Sequence, residues 1–275
     1  MRRIYSISHY LCPPDLALLP FLDAVVASGF VGVGLTERAL EEVAPRVLRR
    51  ELAARGLSVS SVNSAGYFLH ADPAAAGRQA QRNAWLVQCA AELDGAPLNV
   101  IVGGLGHAGG SLTLAQARRK AGACLGQLGS QAHAVGVPLL FEPIHPIGMW
   151  AKGCVHSLRQ SLDMIAAMPA TRVNLDLFHS WWDEDVEDFL SRDDRPLGLL
   201  QICDVAPLGQ DDAPRRVPLG EGVLDIEGLL RAALSRTQRP AIEVELFAFQ
   251  MPARRFDDVL ASTVSQLDAL DPRLP

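Results

Sequence analysis

Several carboxylate and amide side chains lie at the ends of four short apolar segments in the second half of the chain. If these segments are neighbouring parallel strands, their carboxyl ends meet at one edge of the sheet and the polar side chains converge. Buried carboxylates repel one another unless a cation lies between them, and oxygen ligands suit Mg²⁺ and Mn²⁺. The pattern therefore predicts a divalent metal site. The residues concerned are Glu142, Asp176, Gln201, Glu243 and Glu245.

These segments belong to an alternation that runs along the whole chain. Eight runs rich in Val, Ile and Leu alternate with segments of helical periodicity. Strands that alternate with helices form parallel sheets, and eight such units predict closure into an α/β fold, the (β/α)8 TIM barrel, as one domain over residues 1–275. The predicted strands are Ile4–His9, Phe30–Leu35, Leu57–Asn63, Leu98–Gly103, Val137–Glu142, Arg172–Leu177, Gly198–Cys203 and Ala241–Phe247.

The competing fold is a doubly wound open sheet. That fold would require a glycine-rich phosphate loop after the first strand, and residues 8–14 (SHYLCPP) contain no glycine. The barrel is therefore preferred. The segments expected to be helical are Leu16–Ser28, Glu42–Arg55, Pro73–Leu93, Ser111–Val135, Ser157–Met168, the acidic stretch Asp183–Ser191, Ile226–Ser235 and Ala253–Leu267.

The composition excludes several classes of protein. The formal charge of −6 argues against a nucleic-acid partner, because phosphate binding requires clustered Lys and Arg. No apolar stretch approaches the roughly 18 residues of a membrane span. The five cysteines include no CxxC pair, as expected for free thiols in a reducing compartment. We expect a cytoplasmic protein that acts on a small molecule and is either a monomer or a homo-oligomer.

Five short motifs follow one another from the fifth to the eighth predicted strand. They are FEPIHP (141–146), NLDLFHSWWD (174–183), QICD (201–204), RVPLGEGVLDI (216–226) and EVELF (243–247). In this order and spacing they resemble the xylose isomerase-like TIM-barrel superfamily of sugar-phosphate isomerases and epimerases. The resemblance covers nearly the whole chain and is densest from 137 to 247.

The resemblance implies a ligand set and a pair of catalytic residues. One divalent metal ion, with Mn²⁺ or Mg²⁺ favoured and Zn²⁺ possible, would be held by Glu142, Asp176, Gln201 and Glu245. The family places its last glutamate directly before an aliphatic-Phe pair, which selects Glu245 over Glu243. Glu142 and Glu245 would also move the proton. Gln201 stands where the family more often has histidine, although some dehydratase-type relatives have glutamine there.

The resemblance and the strand positions also indicate residues that contact the substrate. His179, three residues after Asp176, and Arg216, ahead of a glycine turn, resemble substrate-binding residues of the family. His145 would hydrogen-bond substrate hydroxyls, and Trp182 would form a wall of the pocket. His70 follows the third predicted strand and is expected to reach the pocket from the opposite side.

The expected activity is a metal-dependent isomerisation or epimerisation of a sugar, a sugar phosphate or a keto-polyol, by proton abstraction through a metal-stabilised enediolate. A dehydratase of a cyclic keto-acid such as 3-dehydroshikimate, or of an inosose, is the first alternative, and Gln201 favours it. An endonuclease IV-like repair enzyme would need more histidine ligands and a basic face. A barrel that only binds its ligand would not need so complete a ligand set.

Overall fold

The computed structural model describes residues 4–110, 112–207 and 213–275. Eight parallel strands close into a barrel in which the first strand pairs with the last, and this confirms the (β/α)8 fold. The strands are β1 (Tyr5–Ser8), β2 (Gly32–Thr36), β3 (Ser58–Gly66), β4 (Leu98–Ile101), β5 (Leu139–Phe141), β6 (Thr171–Asp176), β7 (Leu197–Ile202) and β10 (Ala241–Val244), with a separate hairpin of β8 (Asp204–Pro207) and β9 (Pro214–Val217).

Helices follow the barrel strands and pack around them. Where caps are present they follow ordinary chemistry: Asp72 accepts from the backbone N–H groups of Ala74 and Ala75, directly before Pro73. None of the described helices combines the length and apolar character needed to cross a membrane. The helices are α1 (Leu18–Ala27), α2 (Glu37–Glu42), α3 (Pro45–Arg55), α4 (Pro73–Glu92), α5 (Leu114–Ala134), α6 (Leu158–Ile165), α7 (Leu177–Ser180), α8 (Val186–Ser191), α9 (Ile226–Leu234) and α10 (Phe256–Leu270).

The structure corrects two helix boundaries. The helix predicted from Glu42 begins only at Pro45, as α3, because Pro45 keeps the preceding Ala44 extended, with ψ of 135°. Glu42 instead ends α2, a short helix that the sequence did not predict. The helix expected from Ser111 is described from Leu114, where Thr113 caps it and Ser111 itself lies outside the described residues.

A hairpin follows β7, in a stretch for which the sequence predicts neither a strand nor a helix. Strand β8 pairs with β9 in antiparallel register, so that Asp204 lies opposite Val217. The Asp204 carboxylate accepts from the backbone N–H groups of Val205, Gly220 and Leu224. These contacts tie the glycine turn after β9 to the end of the barrel, and they hold Arg216 over it.

Candidate active site

Four carboxylates and one amide converge at the C-terminal end of the barrel. Asp176 ends β6 and is the register partner of Gln201 on β7, which in turn is the partner of Glu243 on β10. Glu142 follows β5 directly, and Glu245 follows β10. None of the five is more than 4% exposed. The convergence predicted from the strand ends is therefore present in the folded chain.

A single guanidinium group lies among these carboxylates. Arg216 Nη1 donates to Asp176 Oδ1 at 2.9 Å, and Nη2 contacts Asp176 Oδ2 and lies 2.7 Å from Glu245 Oε2. The guanidinium carbon is 4.7 Å from the ring centroids of both Phe178 and Phe247. One cation against four buried carboxylates leaves an excess of negative charge.

This excess is visible in the pKa values. Burial, together with the charge of Asp176, raises the pKa of Glu142 to about 7. Burial also raises the pKa of Glu245 well above its usual range, against the pull of Arg216. Asp176 is buried too, but the charge of Arg216 holds its pKa down, at about 2. The site must therefore take up protons or a further cation, and its oxygen donors fit a hard divalent ion.

A chain of amides supports Glu142 inside the barrel. Asn99 Nδ2 donates to Glu142 Oε2 and to Asn63 Oδ1, the second at 3.0 Å. Asn174 Nδ2 donates to Asn99 Oδ1 at 3.2 Å and to Gln201 Oε1 at 2.7 Å. Because all of these groups are buried, each hydrogen bond also restricts the rotamer of the next residue.

The amide of Gln201 is oriented by the same network. Its Nε2 donates to Glu243 Oε1 and Glu245 Oε1, each at 2.9 Å, while its oxygen accepts from Asn174. In this orientation Gln201 acts as a donor that places Glu245. Its role as a metal ligand stays a prediction, and it requires the amide oxygen to turn away from Asn174.

Sequence reasoning missed the polar residues of the third and fourth strands. Ser60 Oγ and Ser61 Oγ donate to Glu243 Oε2 at 2.6 Å and 2.8 Å. These two hydrogen bonds stabilise the buried carboxylate of Glu243, for which the sequence predicts no catalytic or ligand role. The available signal was the cluster of polar residues in the segment SVSSVNS (58–64), with Asn99 within the next apolar run.

We expect Asn99→Leu to weaken the positioning of Glu142. Loss of a hydrogen bond to a buried carboxylate costs about 1–3 kcal/mol of unfolding free energy and raises the pKa of Glu142 further. The measurements are denaturant unfolding and the pH profile of turnover. The matched control is Asn83→Leu, because buried Asn83 bonds the backbone of Gly66 and the side-chain amide of Gln79, and no carboxylate. Identical pH profiles for the two variants would contradict the positioning role.

His179 lies beside two of the carboxylates. Its Nε2 is 3.6 Å from Glu142 Oε1 and 3.8 Å from Asp176 Oδ2, so the ring lies beside both carboxylates. Its Nδ1 accepts from the backbone N–H of His145 at 3.2 Å, which leaves the proton of the neutral ring on Nε2. Burial lowers the pKa of His179 to about 3, so the ring is uncharged. His179 therefore presents an N–H to the site.

Aromatic side chains form one wall beside His179. The His145 ring is stacked against Trp181 with centroids 6.2 Å apart and meets the edge of Trp182 at 6.0 Å. Trp182 Nε1 donates to the carbonyl of His179 at 2.9 Å. The predicted contact residues His145, His179 and Trp182 are thus brought together at one side of the site.

His70 lies in a different place. It lines a groove of about 330 Å³ between α4 and α5, and its ring is 5.1 Å from that of His107. A separate cavity of about 470 Å³ occupies the barrel mouth at the ends of β1, β2 and β3, and its lining does not include His70. The substrate-binding role of His70 stays a prediction, and the location of His70 in the groove between α4 and α5 argues against it.

Two hydrogen bonds link the mouth cavity to Glu142. Asn63 is in the cavity wall and accepts from Asn99, which donates to Glu142. A volume of this size suits a small metabolite. The other lining residues include His9, Tyr10, Thr36, Glu37, Arg38 and Tyr67.

We expect Cys203 to be inert toward alkylating reagents while the protein is folded. Burial raises the pKa of its thiol to about 12, so almost no thiolate exists near neutral pH. Cys124 is partly exposed and serves as the internal control. Mass spectrometry after iodoacetamide treatment should find Cys124 modified and Cys203 unmodified. Modification of Cys203 in the folded protein would contradict its placement.

Comparisons with known proteins agree with this architecture. The sequence model described as xylose isomerase-like TIM barrel matches residues 22–265. No curated protein matches the chain. The solved structure of protein SMc04130 from Sinorhizobium meliloti 1021 is 26% identical with a TM-score of 0.86, covering 98% of this chain and 99% of that one.

Two more distant structures share the fold. The IolI protein with a bound zinc atom is 14% identical with a TM-score of 0.78, and 98% of each chain is covered. An L-ribulose 3-epimerase is 18% identical with a TM-score of 0.76, covering 98% of this chain and 94% of that one. At these identities the similarity concerns the fold, and activity must be argued from the side chains of this chain.

Proposed function

We propose that this chain, which belongs to the xylose isomerase-like TIM barrel family, is a divalent-metal-dependent isomerase or epimerase of a sugar, a sugar phosphate or a keto-polyol. The observation that carries the proposal is the buried convergence of Glu142, Asp176 and Glu245 around one guanidinium. Such a concentration of charge is costly unless a cation is part of the working site.

The metal would be held by the carboxylates of Glu142, Asp176 and Glu245, with the Gln201 amide as the fourth group that the resemblance assigns. Carboxylate and amide oxygens favour Mn²⁺ or Mg²⁺, and Zn²⁺ is the remaining choice. When bound, the ion would supply Lewis-acid polarisation of a substrate carbonyl or hydroxyl.

The protein itself would supply the proton transfer. A carboxylate whose pKa is about 7, such as Glu142, is suited both to remove and to return a proton near neutral pH. Glu245 would act as its counterpart on the other side of the substrate. The Nε2–H of His179 and the ring of His145 would hold substrate hydroxyls, and Trp182 would limit the access of water.

The proposal is tested by metal binding and turnover measured together. Calorimetry with Mn²⁺ should find one ion per chain. A panel of ketoses, inososes, hydroxypyruvate and 3-dehydroshikimate, assayed with Mn²⁺ and with Mg²⁺, should contain a compound that is isomerised or epimerised and is no longer turned over after chelation. Absence of Mn²⁺ binding, or turnover unchanged by chelation, would overturn the proposal.

A dehydratase of a cyclic keto-acid is the second candidate, and Gln201 in place of the family's commoner histidine favours it. Its reaction also begins with proton removal next to a carbonyl. A dehydratase forms a conjugated product that absorbs in the ultraviolet, and an isomerase does not. The five free cysteines support placement of either enzyme in a reducing cytoplasm.

A further inference from the structure

The mouth cavity contains a guanidinium without a carboxylate partner. Arg38 Nη1 donates to the Pro13 carbonyl at 3.1 Å, and Nη2 donates to the Cys12 carbonyl at 3.2 Å. Within the described ranges Arg38 makes no ion pair, and the adjacent Glu37 is engaged by Arg82 at 2.6 Å. The positive charge of Arg38 therefore has no carboxylate partner among the residues that the structure describes.

His9 accepts a hydrogen bond from this guanidinium, and its own ring is uncharged. Arg38 Nη2 lies 3.3 Å from His9 Nε2, which can only accept from it, so that His9 Nδ1 carries the proton and donates to Thr36 Oγ1 at 2.7 Å. The His9 side chain is buried, and burial together with Arg38 keeps it neutral. Three of the five guanidinium N–H donors have protein partners, and two remain for a ligand.

The cavity connects this charge with the carboxylate cluster. Arg38 and Asn63 line the same cavity of about 470 Å³, and Asn63 reaches Glu142 through Asn99. Tyr10 and Tyr67 line the same cavity, and burial raises the pKa of each, so both offer hydroxyl groups at neutral pH. A ligand that fills the cavity thus meets the Arg38 cation directly, and it lies against Asn63, which is two hydrogen bonds away from Glu142.

We propose that Arg38 binds a carboxylate of the substrate, so that the substrate is a sugar acid or a keto-acid. This inference rests on the proposed function, because it takes the mouth cavity as the substrate site. A phosphate dianion is normally met by several cations or by a cradle of backbone N–H groups. Besides Glu37, whose carboxylate is paired with Arg82, the described lining offers one unpaired guanidinium with neutral hydroxyls, which matches a single carboxylate.

The test compares ligands that differ only in charge. Ribonate and ribitol have the same carbon chain, with a carboxylate or an alcohol at one end, and ribitol 5-phosphate supplies the phosphate. Calorimetry in the presence of Mn²⁺ should find wild-type protein binding ribonate at least about tenfold more tightly than ribitol, which corresponds to roughly 1.4 kcal/mol. Arg38→Met should abolish this preference, and Arg38→Lys, which keeps the charge, should retain part of it.

Two control variants separate recognition from structure. Arg118→Met removes a guanidinium that also donates to a backbone carbonyl, that of Cys154, but lies outside the cavity lining. Lys152→Met removes another cation of the barrel mouth, which lies 5.8 Å from the Phe247 ring. Both should keep the ribonate preference. If Lys152→Met loses the ribonate preference and Arg38→Met keeps it, Arg38 is not the residue that binds the carboxylate.

Other outcomes are equally decisive. Equal binding of ribonate and ribitol by the wild type, including no binding of either, would overturn the inference, as would tighter binding of the phosphate than of ribonate. Mn²⁺ titration without a probe tests the proposed function separately. If the protein binds Mn²⁺ normally but shows no preference for ribonate, only the proposed role of Arg38 is wrong. If it does not bind Mn²⁺, the proposed metal site is wrong, and the binding of ribonate and ribitol can still be compared.

Discussion

Glu142→Gln and Glu245→Gln are each expected to lower kcat by about 10²–10⁴-fold while the fold is preserved. Glutamine keeps the size and the hydrogen-bonding shape of the side chain, but it can neither accept nor return a proton. Both positions are at most 4% exposed and are held by donors, namely Asn99 for Glu142 and Gln201 for Glu245. Steady-state kinetics with the substrate found in the panel measures the effect.

The matched control for these variants is Glu221→Gln. Glu221 is a half-exposed glutamate that pairs with Arg254 at the surface turn, at 2.5 Å. Its replacement should leave kcat within about twofold of the wild type, because surface pairs contribute roughly 0–1 kcal/mol. Turnover near the wild-type level in Glu142→Gln or in Glu245→Gln would remove that residue from the proton-transfer step.

Arg216→Met is expected to destabilise the metal-free protein by about 3–5 kcal/mol, because it removes the only cation seen among the described residues of the carboxylate cluster. The carboxylates of Asp176, Glu245 and Glu142 would then lie close together without a positive charge between them. Saturating Mn²⁺ should recover more stability in the variant than in the wild type, since the ion replaces the missing charge. Thermal unfolding with and without Mn²⁺ measures both effects.

The control for Arg216→Met is Arg254→Met. Arg254 also pairs with a carboxylate, but this pair with Glu221 is about half exposed, so its loss should change the unfolding free energy by at most about 1 kcal/mol. Equal losses in the two variants would show that burial of the Arg216 pair has no energetic consequence. Failure of Mn²⁺ to stabilise either protein would contradict the metal site.

The cost of Arg216→Met should depend on pH. In the wild type the pKa of Asp176 lies at about 2, below its ordinary value of 3.8, so this pairing stabilises the fold above about pH 4 and is lost as the pH falls toward 2. Without Arg216, the carboxylates can remain protonated at low pH, and the destabilisation should be larger at about pH 8 than at about pH 5. A loss that does not vary with pH would argue against uncompensated charge as its cause.

Much of the site could be predicted because it follows from local patterns. Residues of one strand alternate between two faces, so Asp176 at the end of one apolar run and Gln201 near the end of the next could be expected to meet. The proline at position 45 is a local signal as well, and it should have moved the start of the helix predicted over Glu42–Arg55 to Pro45.

Other parts depend on contacts between residues that are far apart in the chain. Asn99 reaches Glu142 across 43 positions because β4 pairs with β5, and Ser60 reaches Glu243 across 183 because the barrel closes. Arg216 enters the cluster because a hairpin, which the sequence did not predict, folds back over the barrel end. Arg38 had no predicted role, since a lone arginine after a strand carries no periodic signal.

The sequence by itself determined the eightfold alternation of strands and helices and the strand ends at which carboxylates occur, because these follow from side-chain periodicity and backbone geometry within short segments. Only the tertiary structure decided which carboxylate receives the guanidinium, which way the Gln201 amide turns, and that His70 faces a groove between two helices. Those outcomes depend on distances and charges across the closed barrel, and no local pattern encodes them.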